Sequence, residues 1–174
     1  MLHYDCYDSP LGTLWMTGEN GILTGLSFQP LMDETEPAYC PELDPVKTWL
    51  DRYFRREAVT PHFSMAPKGT AFQQCIWQML LKIPYGKTRT YGDLAREAAA
   101  VMGKEKMSAQ AVGQAVGRNP IAIIIPCHRV MGAGGKLTGY AYGIDKKQAL
   151  LQHEQIQEVE RCVTQTLDIL KQNG

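Results

Sequence analysis

Residues 121–130 read Ile-Ala-Ile-Ile-Ile-Pro-Cys-His-Arg-Val, an apolar run that stops at a proline and is followed at once by a thiol, an imidazole and a guanidinium. A run this continuous has no polar face to turn towards water, so the rest of the chain has to enclose it. It predicts a short strand buried on both faces. Pro126 cannot donate to a ladder and holds its neighbour extended, which places Cys127 at a rigid strand end. A thiol attacks as its thiolate, and an imidazole that takes the proton turns a poor nucleophile at neutral pH into a good one. His128 is the nearest candidate. A lone cysteine behind an apolar strand also serves as a small core residue. The segment Gly139-Tyr140-Ala141-Tyr142-Gly143 favours the chemical reading, because glycines interleaved with aromatics suit a loop lining a flat-ring pocket.

The 174 residues are enough for one domain or two small ones with a real core. No stretch approaches the roughly 18 apolar residues of a membrane helix, and the N-terminus lacks the basic-then-apolar order of a secretory leader. A cytoplasmic protein with no membrane partner is expected. Cys6, Cys40, Cys75, Cys127 and Cys162 are widely spread and should be reduced thiols. A zinc site from His3, Cys6, Cys40 and His62 matches no standard spacing, so neither a metal nor a cofactor is expected.

Lysine and arginine balance aspartate and glutamate at 18 each, but unevenly along the chain. Residues 1–69 carry five basic against ten acidic side chains, a net −5; residues 82–147 carry eleven against four, a net +7. The basic middle suits a polyanionic partner and the acidic first part faces away from it, although two ordinary solvated faces give the same count.

Leu2–Tyr7, Gly12–Thr17 and Gly21–Phe28 alternate as the strands of a small antiparallel sheet, separated by turns at Ser9-Pro10-Leu11-Gly12 and Glu19-Asn20-Gly21. After a loop at 29–44, Val46, Trp49, Leu50, Tyr53 and Phe54 recur at helical spacing. This unit carries no catalytic constellation and is expected to buttress the next, across a linker at Glu57–Gly69. Thr70 caps a helix with an apolar face of Phe72, Ile76, Trp77, Leu80 and Leu81, which Ile83-Pro84-Tyr85-Gly86 ends. Thr90 and Asp93 form a capping box for a helix from Tyr91 to about Ala100, and Ser108 starts another to about Val116. That second helix holds almost only small residues, which lets its backbone approach a groove or another helix. With a glycine-rich wing at 132–135, the pair has the form of a DNA-reading helix-turn-helix. A last helix starts at Asp145 and runs past Leu150 and Leu151, with Glu154 placed to orient a histidine. Ile156, Val159, Val163, Leu167 and Leu170 continue at helical spacing as an amphipathic tail.

Pro126-Cys127-His128-Arg129-Val130 resembles the active-site motif of the DNA alkylguanine alkyltransferases, also called methylated-DNA–protein-cysteine methyltransferases. The likeness extends through Ser9-Pro10-Leu11-Gly12, Phe72-Gln73 with Trp77, Ile83-Pro84-Tyr85-Gly86, Tyr91-Gly92, Asn119-Pro120 and Thr138-Gly139-Tyr140, covering about residues 1–155. It implies a mixed α/β (α+β) architecture with three parts: a ribonuclease-H-like domain over 1–68, a winged-helix alkyltransferase domain over 69–157, and a helical tail over 158–174. It also implies a monomer that binds double-stranded DNA through the minor groove and flips the alkylguanine out of the stack. Cys127 would accept the alkyl group of O6-methylguanine, with O4-methylthymine as a second candidate lesion, His128 would take the thiol proton through a water, Glu154 would hold the imidazole, and Asn119 would brace the turn. Tyr91 would push on the phosphate backbone and help protonate the departing guanine, while Tyr140, Tyr142, Val130 and the amide of Ala141 would meet the base. Ala109, Gln110, Ala111, Gly113, Arg118 and Arg129 would lie against DNA.

Three positions depart from the family pattern. Gln110 replaces the arginine that enters the base stack, Tyr142 replaces a glycine at the pocket mouth, and Ala149 replaces a frequent tryptophan. The thioether formed has no hydrolytic route, so each molecule is expected to act once. Two other functions compete: a damage-sensing or regulatory winged-helix protein that binds DNA with weak or no transfer, and a thiol hydrolase using Cys127 and His128. Relatives of the first kind usually lack the cysteine, and adjacent residues on an extended chain point apart, which weighs against the second.

Overall fold

The structure is a computed structural model and describes residues 1–154. The expected tail lies outside the described residues. Strands β1 (Leu2–Ser9), β2 (Gly12–Glu19) and β3 (Ile22–Ser27) form an antiparallel sheet in chain order, with a bulge between Thr17 and Gly18. Alternation puts Leu14, Met16, Leu23 and Leu26 on the inner face, all fully buried. Helix α1 (Asp44–Phe54) covers that face with Val46, Trp49, Leu50 and Tyr53. Pro45 opens the helix, where its missing N–H costs nothing.

In the second unit, α2 (Ala71–Leu81) and α3 (Tyr91–Val101) each start with a complete capping box, Thr70 with Gln73 and Thr90 with Asp93. Helix α4 (Ala109–Gly117) starts at Ser108, whose hydroxyl accepts from the Ala111 amide. Trp77 of α2 is buried and donates its indole N–H to the Ala115 carbonyl of α4 at 2.9 Å. Gly69 is needed beside it, because a Cβ there would stand 2.3 Å from the Trp77 ring. Short strands β4 (Arg89–Thr90) and β5 (Val130–Met131) pair in parallel, and α5 (Ile144–His153) starts from Gly143 rather than from the expected aspartate cap. Residues 132–135 form a tight turn with Gly134 and Gly135 at positive φ, not a projecting hairpin wing. Among the described residues no helix is long and apolar enough to cross a membrane.

The free edge of β3 joins the two units. Leu23 exchanges backbone hydrogen bonds with Ser64 and Ala66, and Leu26 does so with Pro120 and Ala122. An edge that would otherwise expose unpaired amides is thus covered twice. The stretch read as a linker is partly docked on the sheet, and one apolar cluster runs from Leu14 to Leu150 through both units.

The apolar run corrects the sequence reading. Ile121 through Ile125 are buried, but they form no strand beyond a single bridge from Ile121 to Leu26. Ile123 sits at φ 67, the Ile124 amide donates to Ala122 O, and the Ile125 amide donates to Ile121 O. Cys127 therefore begins a 3-10 turn, Cys127–Arg129, instead of ending an extended segment. Asn119 makes the coil tenable: its amide donates to Ile125 O at 2.7 Å and its Oδ1 accepts from the Ile121 amide at 3.0 Å. A left-handed, β-branched residue costs roughly 1–3 kcal/mol and persists only where its surroundings hold it. Replacing Asn119→Ala orphans two buried backbone groups and should lower unfolding free energy by about 2–4 kcal/mol in urea titration; a loss below about 0.5 kcal/mol would remove this bracing role.

Candidate active site

The 3-10 turn, the C-terminal end of α5 and the mouth of α4 converge on Cys127. Glu154, the C-cap of α5, is buried, and its carboxylate collects five hydrogen-bond contacts from four residues. His128 Nε2 lies 2.5 Å and Tyr53 Oη 2.7 Å from Oε2; Arg129 Nε donates to Oε1 at 2.8 Å and Nη2 to Oε2 at 3.3 Å; the Gly86 amide donates to Oε1 at 3.2 Å. Burial alone would favour the neutral acid, but the imidazole and the guanidinium outweigh it and hold the carboxyl well below the ordinary range. Arg129 supplies its charge at every pH of interest, so Glu154 is ionised even when His128 is neutral.

Burial pushes His128 below its ordinary value against the pull of Glu154, which leaves a neutral imidazole able to take a proton. Among the described residues its buried Nδ1 has no hydrogen-bond partner. Burial pushes the Cys127 thiol up, while Asn119 and the charge of Lys147 pull it back. Lys147 is fully buried and donates to the carbonyls of Val130, Thr138 and Gly139 at 2.5, 2.6 and 3.1 Å. Burial brings it down to about 8, so at neutral pH it is an ammonium that favours a thiolate at Cys127.

Cys127 opens on a cavity of about 150 Å³ that Tyr91, Asn119, Gly139, Tyr140, Ala141 and Tyr142 help to line. The Tyr140 hydroxyl is buried beside Cys127, and burial together with the charge of Cys127 keeps it protonated. Gly113 of α4 faces the Tyr91 ring, where an added Cβ would make an ordinary contact at 3.7 Å. Val130 is buried in β5, its carbonyl occupied by Lys147.

The residues expected to meet DNA divide. Ala109, Gln110 and Gly113 border an open groove with Thr90, Tyr91 and Arg96 beside the cavity. Ala111 and Arg118 line another recess, between α4 and α2. Arg129 is not at a surface at all: it is 8% exposed, paired with Glu154, donates to Ile83 O at 2.8 Å and lies over the Tyr85 ring. A guanidinium already held by a buried carboxylate and a carbonyl has no fork left for a phosphate. With Lys147 also internal, part of the basic middle segment serves the site and not the surface. The quartet His3, Cys6, Cys40 and His62 is not assembled; His3 and Cys40 meet Glu42 instead.

Tyr53 and Lys147 are site residues that sequence reasoning missed. Tyr53 carried the spacing of a core position in α1, and Lys147, beside Lys146, reads as a solvated helix face. Burial of both is decided by packing between segments far apart in sequence.

Residues 71–156 match the family model "6-O-methylguanine DNA methyltransferase, DNA binding domain", and residues 2–64 match its ribonuclease-like domain. The chain belongs to this family. A methylated-DNA–protein-cysteine methyltransferase of Mycobacterium tuberculosis is 43% identical over 162 residues, covering 88% of this chain and 93% of that one. One from Methanosarcina acetivorans is 40% identical over 161 residues, covering 88% and 98%. The crystal structure of Mycobacterium tuberculosis OGT in complex with DNA superposes with a TM-score of 0.76 at 44% identity, covering 87% and 92%. The 6-O-methylguanine DNA methyltransferase architecture of small sheet domain plus helical DNA-binding domain is the one described above.

The carboxylate hub sets a pH dependence. Glu154 has a folded value below its ordinary 4.5, so its stabilisation is present above about 4.5 and is lost as pH falls towards the folded value. Glu154→Gln should cost about 3–5 kcal/mol near pH 7, by leaving Arg129 unpaired, and should flatten the fall in stability between pH 5 and 3. Parallel acid-unfolding curves for the two proteins would contradict this.

Proposed function

We propose that this chain repairs alkylated DNA by moving the alkyl group of O6-methylguanine directly and irreversibly onto Cys127. Membership in the methylated-DNA–protein-cysteine methyltransferase family supports the activity. The observation that carries its assignment to these residues is a buried Cys127 followed directly by a buried His128, whose Nε2 is held by Glu154 and whose Nδ1 has no partner among the described residues.

In the proposed step the Cys127 proton passes to His128 Nδ1 through a water. The sulfur attacks the methyl carbon as the bond to O6 breaks. The electron pair stays on guanine, and a proton takes the place of the lost methyl. Glu154, held ionised by Arg129, spreads the imidazolium charge that forms, the logic of an activated-nucleophile triad. The Lys147 ammonium favours the thiolate, and the hydroxyls of Tyr91 and Tyr140 and the amide of Ala141, residues that line the cavity, would donate to the base where negative charge develops. The product is a thioether, so one protein repairs one lesion.

A base reaches a cavity of this depth only outside the stack, so the lesion is flipped from the duplex, at a cost of a few kcal/mol. Ala109, Gln110 and Gly113, on the open groove beside the cavity, are the proposed minor-groove contacts of a monomer acting in the cytoplasm; Ala111 and Arg118 belong to the far edge of that footprint. The proposed domain limits are 1–68 and 69–157. A reader without transfer is disfavoured by the presence of the buried thiol next in sequence to a carboxylate-held imidazole.

Incubation with excess DNA bearing O6-methylguanine should add one methyl per protein, confined to the Cys127 peptide and absent from Cys127→Ser; an unmodified Cys127, or many lesions repaired per chain, would sink the proposal. The transfer rate should fall at acid pH with a midpoint below 6.5, because burial lowers His128 and the base must be neutral. A midpoint above 6.5 in single-turnover rates would contradict that order of protonation. Gln110→Arg should tighten duplex binding or speed duplex repair, since a guanidinium supplies charge and a planar fork that an amide lacks; no change in either would dismiss this role for position 110.

A further inference from the structure

Tyr142 is the wall of the cavity that comes nearest to belonging to both units. Its ring meets Tyr140 edge-on, with centroids 5.4 Å apart and planes at 74°. On the other side it meets Phe28 edge-on, at 5.4 Å and 68°. Phe28 does not line the cavity; it follows β3 of the N-terminal sheet, is 8% exposed, and is itself held. The Lys146 ammonium stands 5.0 Å over its ring centroid and donates to the Leu11 carbonyl at 3.0 Å, tying α5 to the turn between β1 and β2. Ser27, the last residue of β3, faces the Tyr142 hydroxyl, and the charge of Cys127 reaches that same hydroxyl. One wall of the cavity that holds the thiol is thus clamped by a residue from the other unit.

We infer that Phe28, acting through Tyr142, sets the size of alkyl group that reaches Cys127, so that the N-terminal unit is a specificity element and not only a buttress. The inference rests on alkyl transfer to Cys127. The cavity, at about 150 Å³, is well below the roughly 300–1,000 Å³ of most small-molecule sites. A methyl group adds one carbon to the base and needs no wall to move. A benzyl group adds seven, and its ring needs the Tyr142 side chain to swing away. Two edge-to-face contacts resist that swing, and one of them is anchored outside the cavity. Releasing Phe28 frees Tyr142 to move without altering any group that touches the thiol.

The test compares single-turnover rates on DNA carrying O6-benzylguanine or O6-methylguanine, for wild type, Phe28→Ala, Phe28→Leu, Tyr142→Gly and the double variant Phe28→Ala with Tyr142→Gly. Phe28→Ala should raise the benzyl-to-methyl rate ratio at least about fivefold, the scale on which pocket fit discriminates small groups, with the methyl rate within about twofold of wild type. Phe28→Leu keeps apolar volume while losing the ring edge. It should move the ratio the same way, and it carries the test if Phe28→Ala melts too low to assay. Tyr142→Gly should raise the ratio further, and in that background Phe28→Ala should add nothing, since the two act through one contact. An unchanged ratio in a folded Phe28 variant with methyl transfer intact overturns this inference alone, as does an equal Phe28 effect in the Tyr142→Gly background. Absence of methyl transfer in wild type overturns the underlying function.

Discussion

One buried carboxylate organises this protein. Glu154 caps α5 and receives His128 and Arg129 from the 3-10 turn, Tyr53 from α1 and the Gly86 amide from the loop after α2. An ionised carboxyl group out of water costs several kcal/mol unless its lone pairs are met. Here they are met from three separate segments, including one from the N-terminal unit. The interaction that tunes the imidazole is therefore the same one that locks the units around it, and site and fold are not separable at this point.

A second buried charge completes the pattern. Lys147 holds the carbonyls of Val130, Thr138 and Gly139, so it pins both β5 and the aromatic loop that walls the cavity while presenting positive charge to the thiol. Between the two charges, Cys127 lies in a turn whose left-handed Ile123 is tolerated because Asn119 bonds both ends of the coil. The thiol is therefore positioned by side-chain bonds to backbone, and its proton affinity is balanced between burial and a nearby cation. The aromatic wall is shared as well, through Tyr142 and Phe28.

Much of the architecture was legible in residue order. The three strands, the caps Thr70, Thr90 and Ser108, and the apolar faces of α1 and α2 follow from periods of two and 3.6 and from hydroxyls that accept orphan amides, which are local rules. The motif around Cys127 was equally plain, because a thiol and an imidazole directly after an apolar run have few other uses. Local rules misled at Ile121–Ile125, where β propensity suggested a strand. A strand needs a partner on at least one edge, and β3 takes only Ile121 before the chain turns. Arg129 misled for a related reason: a charge count assigns every guanidinium to the surface, and only the buried Glu154 moved it inside.

The sequence by itself determined the helices, the strands, the candidate thiol at Cys127 and the family pattern, since each depends on neighbours a few residues away. The tertiary structure decided which charges are internal, that Tyr53 and Lys147 belong to the site, and that Phe28 braces the cavity wall. Those outcomes join positions far apart in the chain: Tyr53 and Glu154 are 101 residues apart, and Phe28 meets Tyr142 across a still longer stretch. Whether a charged or aromatic side chain is buried depends on what the rest of the chain places opposite it, and no periodicity along the sequence carries that information.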